Sequence, residues 1–205
     1  MTMPKRLISI LILIIIVSFS GYSQKKTLQT QPITDKISID GQFNESVWES
    51  VNWATNFIML EPDNGVEIAI EKESKVRVLY DNEAIYISAI LKDNQPDEIL
   101  KEITQRDNFG TADHFGVFIN GFNDGQQDFR FFVSAAGVQM DCIATEGNED
   151  YTWDAIWNSD ISITEEGWNV EMRIPYAALR FSKEEIQTWG INFYREIKRD
   201  RQKYT

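Results

Sequence analysis

The sequence predicts an all-β protein built as an antiparallel β-sandwich. Three observations carry this. About ten short runs alternate apolar and polar residues with a period of two, the signature of half-buried strands. Turn-forming residues separate the runs, and no long amphipathic helix pattern interrupts them. Each run also hides one face only, as two packed sheets require. An up-and-down barrel is the second architecture that fits the pattern.

The chain opens with Lys5 and Arg6, an apolar run over residues 7–17 broken only by Ser9, and the small residues Gly21 and Ser23. This is the pattern of a secretory signal peptide, residues 1–23, with cleavage expected after Ser23. The apolar run is well short of the ~20 residues a spanning helix needs, and an uncleaved anchor is the alternative. No cysteine lies near the cut, which argues against a lipid anchor. Export would place the mature chain in the periplasm, in the outer membrane or outside the cell. Residues 24–34 are polar and read as a flexible lead, 35–197 as the sandwich and 198–205 as a basic tail.

Residues 36–39 alternate and predict a first short strand, ended by the Asp40-Gly41 turn. Residues 44–50 predict one helical turn capped by Asn44, with Val47 and Trp48 facing inward. Asn44-Glu45-Ser46 is formally a glycosylation acceptor, of consequence only in a eukaryotic secretory pathway. Residues 53–60 predict a second strand, and 61–65 a loop. Residues 75–80 and 84–91 form the clearest hairpin, joined by Asp81-Asn82-Glu83. A brief helical turn is expected over 97–103.

A polar loop, residues 106–112, then runs into the central strand. There Phe115, Val117 and Ile119 share one face, and Gly116, Phe118 and Asn120 the other. His114, the only histidine, reads as a strand-edge residue. After the polar loop 121–128, residues 129–134 and 138–144 predict another hairpin across Ala135-Ala136-Gly137. Residues 145–150 are an acidic loop, and 153–157 and 161–164 read as short strands. The longest clean alternation, 168–174, ends at Pro175, which cannot donate to a ladder. A helical turn over 176–180 and a last strand over 190–197 complete the pattern.

The net charge is −12, and removing residues 1–23 takes away two cations and no acid. A domain this acidic is a poor partner for nucleic acid, whereas neutral ligands such as sugars meet no electrostatic penalty. Cys142 is alone, so no internal disulfide forms, and the run VQMDCIA makes it a buried small hydrophobe. A single histidine and the lack of a P-loop or Rossmann glycine pattern argue against zinc-hydrolase and nucleotide chemistry. No active site is read from the 32 acids, because adjacent carboxylates on a strand point to opposite faces.

Aromatic side chains bind sugars by stacking on the C–H faces of the ring, with polar groups nearby to fix orientation. Phe109, Tyr151, Trp153 and Trp157 are the candidates for such a surface. Trp153 and Trp157, four apart on an extended strand, face the same side beside Glu149, Asp150 and Asp154. Trp48, Trp168 and Trp189 fit the core instead. Asn123, Asp124 and Asp128, in a glycine-containing loop, offer hard oxygens for calcium. Their spacing is not that of an EF-hand, and a solvated acidic loop is the other reading.

Several motifs together resemble one family. They are IDGQFNESVW with Asp40-Gly41, Glu45 and Trp48; the hairpin VRVLYDNEAIYISA; Asp113 with the strand after it; Phe129-Arg130; and GWNVEMRIP followed by WGINFYR. In this order, from Ile37 to Arg195, they resemble the family 9 carbohydrate-binding modules. The resemblance implies a jelly-roll-like sandwich that binds sugars, has no catalysis of its own and works beside glycoside hydrolases in carbohydrate catabolism. It also implies structural calcium, and it assigns a polar sugar contact to Arg130.

LRF at 179–181 and NFYREIKRD at 192–200 are similar to amino-terminal modules of secreted or outer-membrane proteins of the Bacteroidetes, where a β-barrel-like region follows. On that likeness Thr205 marks either a truncation or a free-standing copy. The expected partners are carbohydrate and an outer-membrane barrel or hydrolase domain, with no nucleic acid. Two positions depart from the family pattern. Phe109 and Gly110 stand where sugar-binding members carry a clamping Trp, and Gly116 stands where they carry a Glu. The departures open an alternative: a structural or interaction domain of an outer-membrane protein that has lost sugar affinity.

Overall fold

The computed structural model describes residues 26–205, so the signal peptide expected over 1–23 lies outside the described residues. Eleven strands form two antiparallel sheets among those residues. They are β1 (Met59–Glu61), β2 (Ser74–Tyr80), β3 (Ala84–Lys92), β4 (His114–Asn120), β5 (Gln127–Ser134) and β6 (Gln139–Thr145). Then follow β7 (Asn148–Asp150), β8 (Asn158–Thr164), β9 (Gly167–Pro175), β10 (Gly190–Ile197) and β11 (Gln202–Tyr204). The larger sheet has the order β1-β11-β10-β4-β5-β6-β7, and the smaller β2-β3-β9-β8. The predicted sandwich of half-buried strands is the fold observed.

Cross-strand register builds the core in rungs. On the inner face of the large sheet, Phe193, Val117 and Phe131 stand side by side, and Ile191, Ile119 and Phe129 form the next rung. They meet Val76, Ile87, Ala89, Val170, Met172 and Ile174 of the small sheet in one continuous cluster. A Val, Ile, Met or Phe side chain fully buried in this cluster contributes about 1.5–3 kcal/mol.

Two members of this inner face are charged, Arg195 and, opposite Phe131, Asp141. Arg195 of β10 is buried beside Phe115 and reaches across to the small sheet. It donates to the carbonyls of Lys72 (2.6 Å) and Lys92 (2.7 Å) and to Ser74 Oγ (3.0 Å), at the ends of β2 and β3. Burial pulls the guanidinium down to about 10, with Asp93 and Asp113 opposing, so it stays charged at neutral pH. The two terminal nitrogens of the planar guanidinium span the ends of both strands, while Nε has no partner.

The outer face of the small sheet is covered by the amino-terminal segment. Trp48, in a 3-10 turn over Ser46–Ser50, packs with Ile33, Val51, Leu79 and Tyr86. Glu171 of β9, fully buried, ties the segment down. Its carboxylate accepts from the backbone N–H of Asp40 and Gly41 (3.0 Å each) and from Trp48 Nε1 (3.1 Å). Gly41 has φ of 74°, and a Cβ there would stand 2.6 Å from the Ile161 carbonyl carbon. Only glycine fits that approach.

Several expectations are corrected. Residues 36–39 form no strand, because Ile37 and Ile39 pack into the Trp48 cluster instead of pairing. The strand expected over 53–60 shrinks to Met59–Glu61. The turn over 44–50 is present, but Glu45 is its cap residue, without a side-chain capping bond. Residues 153–157 are not a strand, since Asp141 takes the Ala155 N–H that a ladder would use. The lead over 24–34 docks in its described part: Ile33 is buried and donates its N–H to the Tyr80 carbonyl. The basic tail is a strand, β11, pairing with both β1 and β10, with Tyr204 buried.

Replacing Arg195 with Leu would leave the Lys72 and Lys92 carbonyls without their donor in the core. The expected loss is about 3 kcal/mol or more, read as a lower urea midpoint in equilibrium unfolding.

Candidate functional site

The outer face of the large sheet carries an aromatic surface. Pairing puts Tyr194, Gly116, Phe132 and Met140 in one rung, and Asn192, Phe118, Arg130 and Cys142 in the next. Buried Phe132, Met140 and Cys142 form the floor, with half-buried Phe109, Phe118, Tyr151 and Tyr194 packed on it. Phe118 and Tyr194 lie nearly parallel, ring centroids 5.8 Å apart. Phe109 arrives from the loop before β4 and meets His114 (4.9 Å), Phe132 (5.2 Å) and Tyr151 (5.8 Å).

Polar groups rim this surface. The Arg130 guanidinium sits 4.5 Å above the Phe118 ring. Its Nε donates to Asp128 (2.7 Å), and Nη1 pairs with Glu149 on β7. Tyr151 donates its hydroxyl to Glu149 (2.8 Å), and Tyr194 its own to Glu196 (2.9 Å). Burial, with the adjacent carboxylate, pushes both phenols up, so both remain O–H donors at neutral pH. Rings with exposed faces beside hydroxyl, carboxylate and guanidinium groups can hold a polyhydroxylated ring. Cys142, its thiol pushed up to about 11 by burial, is inert floor.

Gly116 is where the surface departs most from a groove. A Cβ there would lie 2.6 Å from Phe132 Cδ1 and 3.3 Å from Phe118 Cε1. Phe132 therefore occupies the space above Gly116 that a side chain would need. His114 starts the central strand and is no edge residue: it is buried between β10 and β5, with Nε2 3.3 Å from Glu196. Burial pulls it down to about 4, against the pull of Glu196, so the ring is neutral at pH 7.

Of the residues singled out in the sequence, Arg130 and Phe109 come together here, with Tyr151. Trp153 and Trp157 lie elsewhere. Both turn toward Phe131 on the inner face, at 5.9 and 5.5 Å. Trp157 is 4% exposed and donates Nε1 to Asp141 (2.8 Å). Trp153 is half-buried and packs on Phe129 as well. Phe118, Phe132 and Tyr194 join the site without having been candidates, and their signal is an aromatic residue on the nominally polar side of an alternating strand; Glu196 carries no comparable signal.

The 121–128 loop does not gather a calcium cage. Asp128 gives both oxygens to Arg130, and Asp124 Oδ1 accepts from Asn120 Nδ2 and the Gln126 N–H. Asn123 stands at φ of 53° beside them. Asp128 and Asp124 Oδ1 are thus engaged by the protein's own groups. Asp107, Asp141 and Asp154 do converge, but Arg106 pairs with all three, and its guanidinium supplies the cation there.

Known proteins supply the context. The sequence model described as "Carbohydrate family 9 binding domain-like" matches residues 39–202. No curated protein sequence matches the chain. Two solved structures of a family 9 carbohydrate-binding module from Caldicellulosiruptor kristjanssonii are similar in fold. The one in complex with cellotriose has a TM-score of 0.54 at 17% identity, over 82% of this chain and 76% of that one. The one in complex with glucose has a TM-score of 0.54 at 18% identity, over 82% and 78%. A Bacteroides uniformis protein with a proposed carbohydrate-binding role aligns with a TM-score of 0.62 at 13% identity, over 87% and 88%.

Two outcomes are expected. Gly116→Glu drives a side chain into Phe132 and lowers the thermal midpoint by several degrees, an overpacking cost of about 1–3 kcal/mol. His114, with a folded value near 4 against an ordinary 6.5, binds fewer protons when folded. Its stabilisation is therefore complete above pH 6.5 and is lost as pH falls toward 4. Urea unfolding at pH 7 and pH 4.5 should show a steeper acid loss for the native chain than for His114→Gln.

Proposed function

This chain belongs to the carbohydrate family 9 binding domain-like family, and from that premise we propose that it is a non-catalytic carbohydrate-binding module serving glycan breakdown. The observation that carries the reading is the outer face of the large sheet. Arg130 is fixed over Phe118 by Asp128 and Glu149, with the Tyr194 and Tyr151 hydroxyls close by. A sugar ring laid on this aromatic surface beside the Arg130–Phe118 pair would meet that rim with its hydroxyls. The domains of this family are binding modules, so catalysis would belong to a separate hydrolase. Glucose and cellotriose are held by the relatives from Caldicellulosiruptor, and β-linked glucose chains are the first ligands to test.

The address of the protein is part of the same proposal. The amino-terminal sequence supports export through a cleaved signal peptide to the periplasm, outer membrane or cell exterior. A β-barrel or hydrolase domain is the proposed protein partner.

One observation favours a second reading. Phe132 fills the space over Gly116, so the middle of the face is closed where related modules place a sugar-gripping Glu. This supports an interaction domain that kept the fold and lost sugar affinity.

Calorimetric titration of the secreted protein with glucose, cellobiose, cellotriose and xylose decides between the two. The carbohydrate reading expects saturable binding to at least one of them, weakened about tenfold by Arg130→Gln or Phe118→Ala. A flat trace with every sugar at millimolar concentration would favour the interaction domain.

A further inference from the structure

The end of the sandwich opposite Arg195 holds a cleft of about 400 Å³, apart from the aromatic outer face. Its wall is the rung of Phe129 and Ile143, where the inner face of the large sheet runs out, together with Trp153. Gln127, Asp154, Ala177 and Arg180 stand around the mouth, and Ile156 is 92% exposed at the rim. The volume lies within the roughly 300–1,000 Å³ of small-ligand sites.

The chemistry of the lining is specific. Trp153 is pinned by Phe129 and Phe131, at 5.4 and 5.9 Å, yet it stays half-buried, so part of its ring borders the cleft. A rigid indole of this kind is a stacking surface that loses little entropy on binding. Arg180 donates Nη1 to the Leu179 carbonyl (2.8 Å) of its own loop and makes no ion pair among the described residues. The Gln127 side-chain amide is also without a protein partner there. Asp154 is the one acid in the lining, and its Oδ1 faces Arg106 Nε at 3.5 Å. A guanidinium with no ion pair among the described residues, beside an aromatic wall, supplies a local site for an anionic ligand against the net charge of −12.

We infer that this cleft is a second saccharide site, separate from the outer face, and that it takes an acidic sugar residue such as a hexuronate. The sugar ring lies against Trp153, its carboxylate meets Arg180, and its hydroxyls meet the Gln127 amide. The ligand class rests on the carbohydrate-recognition reading, while the position of the site does not. A module with both surfaces would hold a neutral stretch and an acidic residue of one glycan.

The test is a titration of the secreted protein with D-glucuronate, D-galacturonate and digalacturonate, with cellotriose as the neutral probe. Heat and the Trp153 indole N–H resonance, assigned with Trp153→Phe, are both followed. Arg180→Gln is expected to weaken uronate binding about tenfold or more and to leave cellotriose binding unchanged. Ala177→Trp, at an exposed position, should block the cleft without touching the core. Arg130→Gln and Phe118→Ala address the outer face and should leave uronate binding intact.

Uronate binding that survives both Arg180→Gln and Ala177→Trp would overturn the cleft site. So would equal affinity for neutral and acidic sugars, or no saturable uronate signal. Cellotriose binding that the outer-face variants abolish, with no saturable uronate binding by the native protein, would reject the cleft and keep the outer-face reading. Uronate binding at Arg180 with no neutral binding elsewhere would do the reverse.

Discussion

The guanidinium of Arg195 sets how the two sheets meet. It stands on the inner face of β10 among the apolar side chains of Phe115, Phe193 and Ile197. Hydrophobic contact alone is non-directional and would let the sheets slide. Three hydrogen bonds to Lys72, Ser74 and Lys92 hold the ends of β2 and β3 to β10 at one position. The cost of burying the charge is offset by carbonyl acceptors and by the field of Asp93 and Asp113. Asp141 does related work nearer the other edge. Fully buried, it accepts from Trp157 Nε1 and the Ala155 N–H and pairs with Arg106. The stretch between Tyr151 and Asn158 is thereby fastened without joining a ladder.

That frame decides what each outer face can do. The outer face of the small sheet is spent on folding, because Glu171 and the Trp48 cluster cover it with the amino-terminal segment. The outer face of the large sheet keeps rings half-exposed and polar groups at the rim. Gly116 and Phe132 trade a gripping side chain for an aromatic floor. The surface is correspondingly flatter than a groove. The Trp153 cleft is lined by other side chains of β5 and β6, with the loop at Trp153 and the turn after β9, and shares none of these residues.

Much of the fold was legible because alternation reports burial directly. The hairpin β2–β3, the central β4, the hairpin β5–β6 and the long β9 all stand where a period of two placed them. Errors fell where a polar side chain took over a backbone group or where a strand was three residues long. β7 and β11 are too short and too charged to show a period. Of the site, Arg130 and Phe109 were legible as residues on a loop–strand junction, whereas Trp153 and Trp157 were placed on a strand that does not exist. Glu171 lies on the polar side of the 168–174 alternation, and the packing of Gly41 and Trp48 on it makes it a buried acceptor.

The sequence by itself determined the class of fold, the order of most strands, the burial of Trp48, Trp168 and Cys142, and the motifs that mark the family. These follow from local periodicity and from residue types whose preferences do not depend on distant partners. The tertiary structure alone decided which face each aromatic serves, that His114 is interior and neutral, that Phe132 occupies the place above Gly116, and that Arg180 and Trp153 share a cleft. Those outcomes depend on cross-strand register and on contacts between residues far apart in the chain, and a one-residue shift in register would reverse the face of every side chain on a strand.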